Sequence, residues 1–297
     1  MVRSGFCAII GRPNVGKSTL LNAMLGEKVS ITADKPQTTR NRIRGIFTEG
    51  SGEDAVQVVF LDTPGIMRPR NKLGAFMTQT AIGTLSDVDV VLFLTDGAYS
   101  EKGGDAYIIE KLKTISTPKF LILSKMDKMK PEAFREAFDS FERLNVFQEM
   151  IGTNAPAGEN VSVVLNLVKE QMPKGPLFFP ADMVTDHPER FLVTEIIREK
   201  LLHFLNDEIP HGVAVSIESY EEKSMLTKIS AVIYCEKKSH KGIIIGKDGR
   251  KLKGIGKSAR EDIEKLIGTR VFLELWVKVK DNWRDSDFML GSLGYKD

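Results

Sequence analysis

The chain has 297 residues, of which 42% are apolar and 28% charged, and its net charge is +2. Such values belong to an ordinary globular protein with room for two domains. They exclude a disordered chain and a uniformly basic nucleic-acid binder, so charge has to be read locally. Two cysteines far apart, Cys7 and Cys235, have neither a disulfide framework's density nor zinc-ligand spacing, and Met1–Ser4 does not begin a secretory leader. No apolar run approaches the roughly 18 residues of a membrane span. The expectation is a soluble protein of a reducing compartment, with Cys7 a small buried hydrophobe.

Phe6–Ile10 reads as a strand and Ser18–Leu25 as a helix, and between them stands Gly11-Arg12-Pro13-Asn14-Val15-Gly16-Lys17-Ser18-Thr19. This is a P-loop in its required setting. Gly11 and Gly16 let the backbone turn with its N–H groups inward, cradling phosphate oxygens at a helix N-terminus. Lys17 then reaches the β- and γ-phosphates, and the Ser18 hydroxyl ligates Mg²⁺. The polar stretch Val29–Arg44 lacks periodicity and reads as a loop. In P-loop switches such a segment is ordered by the γ-phosphate and brings a Mg²⁺-ligating threonine, here Thr39, with Thr38 as the alternative.

Ile43–Glu49 and Val56–Leu61 read as a hairpin. At the tip of its second strand stands Asp62-Thr63-Pro64-Gly65. The Asp62 carboxylate is placed to hold Mg²⁺, and Gly65 to offer a backbone N–H to the γ-phosphate. Ile66 follows, where many nucleotide switches carry a glutamine that orients the attacking water, and an isoleucine side chain has no hydrogen-bonding group. Asn14 offers a substitute, since its amide oxygen is able to hold a monovalent cation such as K⁺ against the phosphates. Leu73–Leu85 and Asp105–Leu112 read as helices, Val88–Leu94 and Phe120–Leu123 as buried strands, and Val161–Gln171 as a closing helix. That alternation specifies a doubly wound α/β domain. Phe120–Leu123 runs into Ser124-Lys125-Met126-Asp127, where the acceptor-only carboxylate of Asp127 suits the N1–H and N2–H₂ of guanine and Lys125 lies along the P-loop and base.

These motifs, with Pro36-Gln37-Thr38-Thr39-Arg40, resemble the Era family of GTPases over essentially the whole chain. The resemblance implies a mixed-sheet P-loop GTPase domain that binds GTP or GDP with Mg²⁺. It assigns the nucleotide to Gly11, Asn14, Val15, Gly16, Lys17, Ser18, Thr19, Ser124, Lys125, Asp127, Asn154 and Ala155, the metal to Ser18, Thr39 and Asp62, and catalysis to Lys17, Thr39, Asn14 and Gly65. The chain departs from the family pattern twice. Ser124 replaces an asparagine that ties the base motif to the P-loop, and Asn154 opens the later loop Asn154-Ala155-Pro156-Ala157-Gly158 in place of a serine. Losing one or two neutral hydrogen bonds is expected to weaken binding by about 0.5–3 kcal/mol while Asp127 keeps the base identity.

Met172–Pro180 breaks all periodicity with three prolines and a glycine and reads as a linker whose two phenylalanines pack on a domain. The expected division is 1–172, linker 173–181, and 182–297. Glu189–Leu205 reads as an amphipathic helix, and Val213–Tyr220 and Leu226–Glu236 as strands separated by the turn Glu221–Ser224. Lys237–Arg260 then carries nine basic residues against one acid. Within it, Gly246-Lys247-Asp248-Gly249 is a G-x-x-G loop between helices, which lets backbone approach a sugar-phosphate strand and clamp about four nucleotides. Lys241, Ile244, Gly246, Lys247, Asp248, Gly249, Arg250, Lys251 and Lys253 are the expected RNA contacts. With Val271–Lys280 as closing strand, the order resembles a KH domain of the prokaryotic type, a smaller α+β fold. Trp276 and Trp283 are expected in the core. By resemblance the RNA is the 3′ end of small-subunit ribosomal RNA and the role is assembly of the small ribosomal subunit, by a cytoplasmic monomer with peripheral contact at the inner face of the cell membrane. Two other readings are a non-catalytic RNA-binding assembly factor, favoured by Ile66, Ser124 and Asn154, and an ATPase, opposed by Asp127.

Overall fold

The computed structural model describes residues 1–223 and 225–295. Ser224, the end of the expected turn Glu221–Ser224, lies outside them. The chain divides into two compact units. The first comprises Met1–Thr32, Thr39–Arg68 and Met77–Asp186, and the second Ala33–Thr38, Pro69–Phe76 and His187–Asp297.

In the first unit, β1 (Arg3–Gly11), β2 (Ile43–Glu49), β3 (Val56–Asp62), β4 (Val90–Thr95), β5 (Lys119–Leu123) and β6 (Glu149–Gly152) form one sheet in the order β2-β3-β1-β4-β5-β6. Only β2 runs antiparallel to its neighbour. The helices are α1 (Lys17–Leu25), α2 (Lys72–Gly83), α3 (Gly104–Leu112), α4 (Pro131–Glu142) and α5 (Val161–Gln171), with the first turn of α2 belonging to the second unit. Strand alternation explains why the strands are apolar throughout. Cys7 and Ile9 of β1 enter one core with Leu20, Leu21 and Val164, whereas Ala8 and Ile10 enter a second core with Ile108, Leu112 and Phe141. A sheet covered on both faces needs such strands. Cys7 is fully buried, as expected, and burial raises its thiol pKa. Two elements were not anticipated. Helix α4 buries Ala137 and Phe141, the latter in the second core, and in the four-residue β6 only Gly152 is buried.

The segment after α5 is a strap rather than a tether. Buried Gln57 of β3 accepts hydrogen bonds from the backbone N–H groups of Phe178 (2.8 Å) and Phe179 (3.0 Å) and donates to the Phe179 carbonyl (2.9 Å). The Phe178 ring meets that of Phe6 at 4.8 Å. Further on, the Ile46 N–H of β2 donates to the Val184 carbonyl at 2.7 Å, the Thr185 hydroxyl donates to the Arg44 carbonyl at 2.7 Å, and Arg44 pairs with Asp186 at 2.7 Å.

The second unit contains α6 (Glu189–Phe204), β7 (Ala214–Glu221), β8 (Leu226–Cys235), α7 (Lys238–Ile245), α8 (Arg250–Ile267), β9 (Arg270–Val279) and α9 (Asp287–Ser292). Its sheet has the order β7-β8-β9, with β7 antiparallel and β9 parallel to β8. Ile197 and Leu201 of α6, Ile229, Ala231 and Ile233 of β8, and Ile255, Ala259 and Ile263 of α8 share one core. The amphipathic reading of α6 needs correction, because Glu195, Arg198, Glu199 and Lys200 are buried as well. Pairing makes this tolerable: Arg198 is ion-paired with Glu195 and donates to the Gln37 and Thr38 carbonyls, and Lys200 reaches Asp262 of α8. Trp283 lies in the core, and its indole N–H donates to the Gly212 carbonyl at 2.9 Å. Trp276 does not. It is 57% exposed, because β9 turns Val271 and Val277 inward and the even-numbered residues Phe272, Glu274 and Trp276 outward.

Candidate functional site: a phosphate cradle, a base pocket and a basic clamp

The P-loop leaves β1 through Gly11, where an added Cβ would lie 2.3 Å from the Leu94 carbonyl oxygen, so no larger residue fits. Asn14 (φ +64°) and Gly16 (φ +96°) have left-handed backbone, the conformation that turns successive N–H groups into one concavity. Asn14 is exposed and Val15 buried. Lys17, the first residue of α1, is buried, and its ammonium donates to the carbonyls of Arg12 (2.9 Å) and Gly11 (3.3 Å). Burial pulls its pKa down to about 8 against the opposing attraction of Asp62, so the lysine is held next to the cradle with its charge incompletely compensated. An anionic ligand supplies the missing compensation.

Around the tip of β3, Asp62 Oδ2 accepts hydrogen bonds from Ser18 (2.6 Å), Ser30 (2.8 Å) and Thr39 (3.5 Å), and the Ser18 and Thr39 hydroxyls are 2.9 Å apart. Burial raises the Asp62 pKa, while Lys17 and the three hydroxyls oppose it. Asp62 Oδ1 is buried with no hydrogen-bond partner. This all-oxygen donor set, with one carboxylate oxygen to spare, fits Mg²⁺. Among the described residues no cluster of three His, Cys, Asp or Glu side chains competes with it. The structure brings Thr39, not Thr38, to this point. The Thr38 hydroxyl is spent on the Lys35 carbonyl at 2.6 Å. Ser30, which motif spacing did not single out, is set in place by Asn22 of α1, whose side-chain oxygen accepts from the N–H groups of Val29 and Ser30 at 3.0 Å each. Gly65 lies against the P-loop, and a Cβ there would come within 2.6 Å of the Pro13 backbone. Ile66 donates its N–H to the Gly11 carbonyl at 3.1 Å and buries its side chain in the second core, so it takes no part in placing water.

The base motif is better supported than the replacement of its asparagine implies. The Ser124 hydroxyl donates to the P-loop carbonyl of Val15 at 2.6 Å, making the expected tie with a shorter side chain. Lys125 (φ +56°) donates to the Asn14 carbonyl at 2.6 Å, and Asp127 is exposed in the turn that follows. The loop Asn154–Gly158 closes through its backbone: Asn154 N–H donates to the Glu159 carbonyl at 3.3 Å and Glu159 N–H to the Asn154 carbonyl at 3.1 Å. Ala155 packs against the first core, which fixes the start of the loop beside α1.

In the second unit, Gly246 (φ +73°, ψ 176°), Asp248 (φ +53°) and Gly249 (φ +72°) make the sharp turn between α7 and α8. Lys241, Lys247, Asp248, Arg250 and Lys253 are exposed around it, and Lys251 is half-buried with its Cβ beneath Gly246. Ile244 is a correction. It is fully buried in the core of this unit, because the last turn of α7 directs that side chain inward, so the side chain supports the loop from beneath and is not presented at the surface. A groove of about 730 Å³ runs beside the loop between α8 and β9, lined by Leu252, Gly254, Gly256, Lys257, Arg260 and Leu275, among others. Its glycines and basic rim were legible in sequence as part of the basic run, though not as a groove. Backbone access, apolar floor and cationic rim together suit single-stranded nucleic acid.

Comparison with known proteins agrees with both halves. A family model described as 50S ribosome-binding GTPase matches residues 6–125, and one described as KH domain matches residues 208–284. GTPase Era of Alkaliphilus oremlandii is 55% identical over 295 residues, covering 99% of each chain, and GTPase Era of Clostridioides difficile is 50% identical over 301 residues, covering both chains in full. Among solved structures, Era in complex with MgGDPNP and nucleotides 1506–1542 of 16S ribosomal RNA superposes with a TM-score of 0.94 at 35% identity, covering 100% of both chains. An Aquifex aeolicus Era variant bound to GDP·AlF4⁻ gives a TM-score of 0.93 at 36% identity, covering 99% of this chain and 100% of that one.

Proposed function

Because the chain belongs to the GTPase Era family, we propose that it is a GTP-hydrolysing switch that binds the 3′ end of small-subunit ribosomal RNA and assists assembly of the small ribosomal subunit. One observation carries this reading: a Mg²⁺-competent oxygen cluster at Ser18, Thr39 and Asp62 and a glycine-hinged basic clamp at Gly246–Gly249 occur in one chain. The related Era structure holds nucleotides 1506–1542 of 16S ribosomal RNA, which supports an RNA partner from the small subunit, whereas the 50S ribosome-binding GTPase family matches only residues 6–125.

In the mechanism, Lys17 neutralises charge on the β- and γ-phosphates, and the Gly65 N–H points at the γ-phosphate. Mg²⁺, when bound, neutralises the phosphates further, and Ser18, Thr39 and Asp62 hold it. Ser124 and Lys125 fix the base turn to the P-loop, and Asp127 accepts from guanine. With Ile66 buried, no side chain at that position aligns water, so the intrinsic rate is slow. Exposed Asn14 is assigned to a K⁺ ion beside the phosphates. If so, turnover in K⁺ exceeds turnover in Na⁺ about tenfold or more, and Asn14→Ala removes the difference. Equal rates in the two salts, unchanged by the substitution, would discard the assignment.

Nucleotide affinity and turnover, measured for GTP and ATP with and without RNA ending in the small-subunit 3′ sequence, test the whole reading. Tight GTP binding with RNA-stimulated turnover is expected. ATP bound as tightly as GTP contradicts the role of Asp127. The proposal includes a monomeric, cytoplasmic protein with peripheral membrane contact. Among the described residues no helix is long and apolar enough to cross a membrane. Sedimentation of the protein alone and with anionic vesicles measures both properties.

A further inference from the structure

A line of charges links the two nucleotide motifs through Asp96, which neither motif contains. Asp96 follows β4 and uses both carboxylate oxygens: Oδ1 accepts from Arg12 Nη2 at 3.0 Å, and Oδ2 accepts from Lys125 Nζ at 2.9 Å. Arg12 also donates its Nε to Asp105 Oδ1 at 2.9 Å, and the other oxygen of Asp105 accepts from Thr95 at 3.0 Å. Asp105 is buried, and burial raises its pKa against the pull of Arg12. The line closes on the P-loop, because Lys125 also donates to the Asn14 carbonyl.

Two further observations give this line a purpose beyond surface pairing. The first is backbone strain. Asn14 and Lys125 are both non-glycine residues in left-handed conformation, and they are the two that the Lys125 ammonium joins. Such conformations persist where surrounding contacts over-determine them. The second is space. Gly104 opens α3, and a Cβ there would lie 2.7 Å from Arg12 Cδ, so a glycine is what lets Arg12 lie flat across the helix start towards both carboxylates. An exposed ion pair contributes little, but this one is anchored at one end by a buried carboxylate.

We propose that Asp96 is a positioning residue that locks the phosphate loop to the guanine-reading turn, so that the cradle is formed before nucleotide arrives. It touches no nucleotide itself and acts through Arg12 and Lys125. GDP and GTP share the parts of the site that it braces, so its loss speeds release of both alike and leaves the discrimination by Asp127 untouched. The proposal rests on the guanine-nucleotide reading of the site.

The test is stopped-flow release of fluorescent GDP and GTP from the full chain, with steady-state turnover and thermal melting, for the unaltered protein, Asp96→Asn and Gly104→Ala. Asp96→Asn should raise both release rates and KM about tenfold while kcat stays within about twofold. Gly104→Ala changes no charge and favours α3 by propensity, yet it should speed release in the same direction by pushing Arg12 off its partners. If Asp96→Asn fails to fold, Gly104→Ala decides. Unaltered release in the variants that fold, or a loss of kcat at unchanged KM, overturns the proposal. Failure of the unaltered protein to bind either nucleotide overturns the guanine reading and this inference with it.

Discussion

Gly65→Ala lowers GTP turnover at least about 100-fold while GDP affinity changes much less. The backbone torsions of Gly65 are not what demands glycine, since it has no positive φ. The demand is spatial: the new methyl would lie 2.6 Å from both N and Cα of Pro13 and 2.7 Å from its ring. Neither side yields readily. The proline ring stiffens the P-loop at that point, and the next residue is anchored twice, by the Ile66 N–H on the Gly11 carbonyl and by the Ile66 side chain in the core. Relief therefore comes by moving the 65 N–H away from the γ-phosphate, a group that GTP carries and GDP lacks. Single-turnover hydrolysis alongside GDP titration separates the two effects. Turnover within about threefold of the unaltered protein, with melting unchanged, would remove Gly65 from the catalytic residues.

Gly246→Asp abolishes RNA binding, with a loss of about 100-fold or more, and leaves GTP affinity nearly intact. Three causes act together. The backbone at φ +73° and ψ 176° lies in a region that belongs almost wholly to glycine. A Cβ would sit 2.7 Å from that of Lys251. The added carboxylate faces a phosphate strand. Because the strain is confined to a surface turn, melting should fall by several degrees yet stay cooperative, and that measurement separates a damaged clamp from a damaged fold. Lys247→Ala, at an exposed cation, should cost less and flatten the salt dependence of RNA affinity. If Gly246→Asp weakens RNA and GTP equally, the clamp is misplaced.

What the sequence made legible depended on how local the determining contacts are. The P-loop, D-T-P-G and G-x-x-G turns were readable because glycine spacing and neighbouring strands fix their backbone within a few residues. The sequence favours Thr39 and leaves the adjacent Thr38 as an alternative, since what divides them is the Lys35 carbonyl, which accepts from Thr38, and a carboxylate 23 residues away, which accepts from Thr39. The line through Arg12 and Asp105 joins positions 93 residues apart and leaves no periodic trace. Other misses had a signal. Phe134, Ala137 and Phe141 repeat at helical spacing after Pro131, which marks α4, and the two-residue alternation of β9 predicts Trp276 outward once Val277 is placed inward. Ile244 shows the converse: it stands two residues before the G-x-x-G loop, yet its side chain is fully buried, which closeness in sequence to the loop does not reveal.

The strap after α5 has a consequence for self-association. β2 ends the six-stranded sheet, and its outward backbone at Arg44 and Ile46 is occupied by Thr185 and Val184. An unpaired edge strand recruits other chains, and proteins guard such edges. A fragment of the GTPase half cut at residue 172, where its last helix closes, would bare that edge and the apolar seat of Phe178 and would aggregate on concentration. One cut after Asp186 would carry its own guard and remain dispersed.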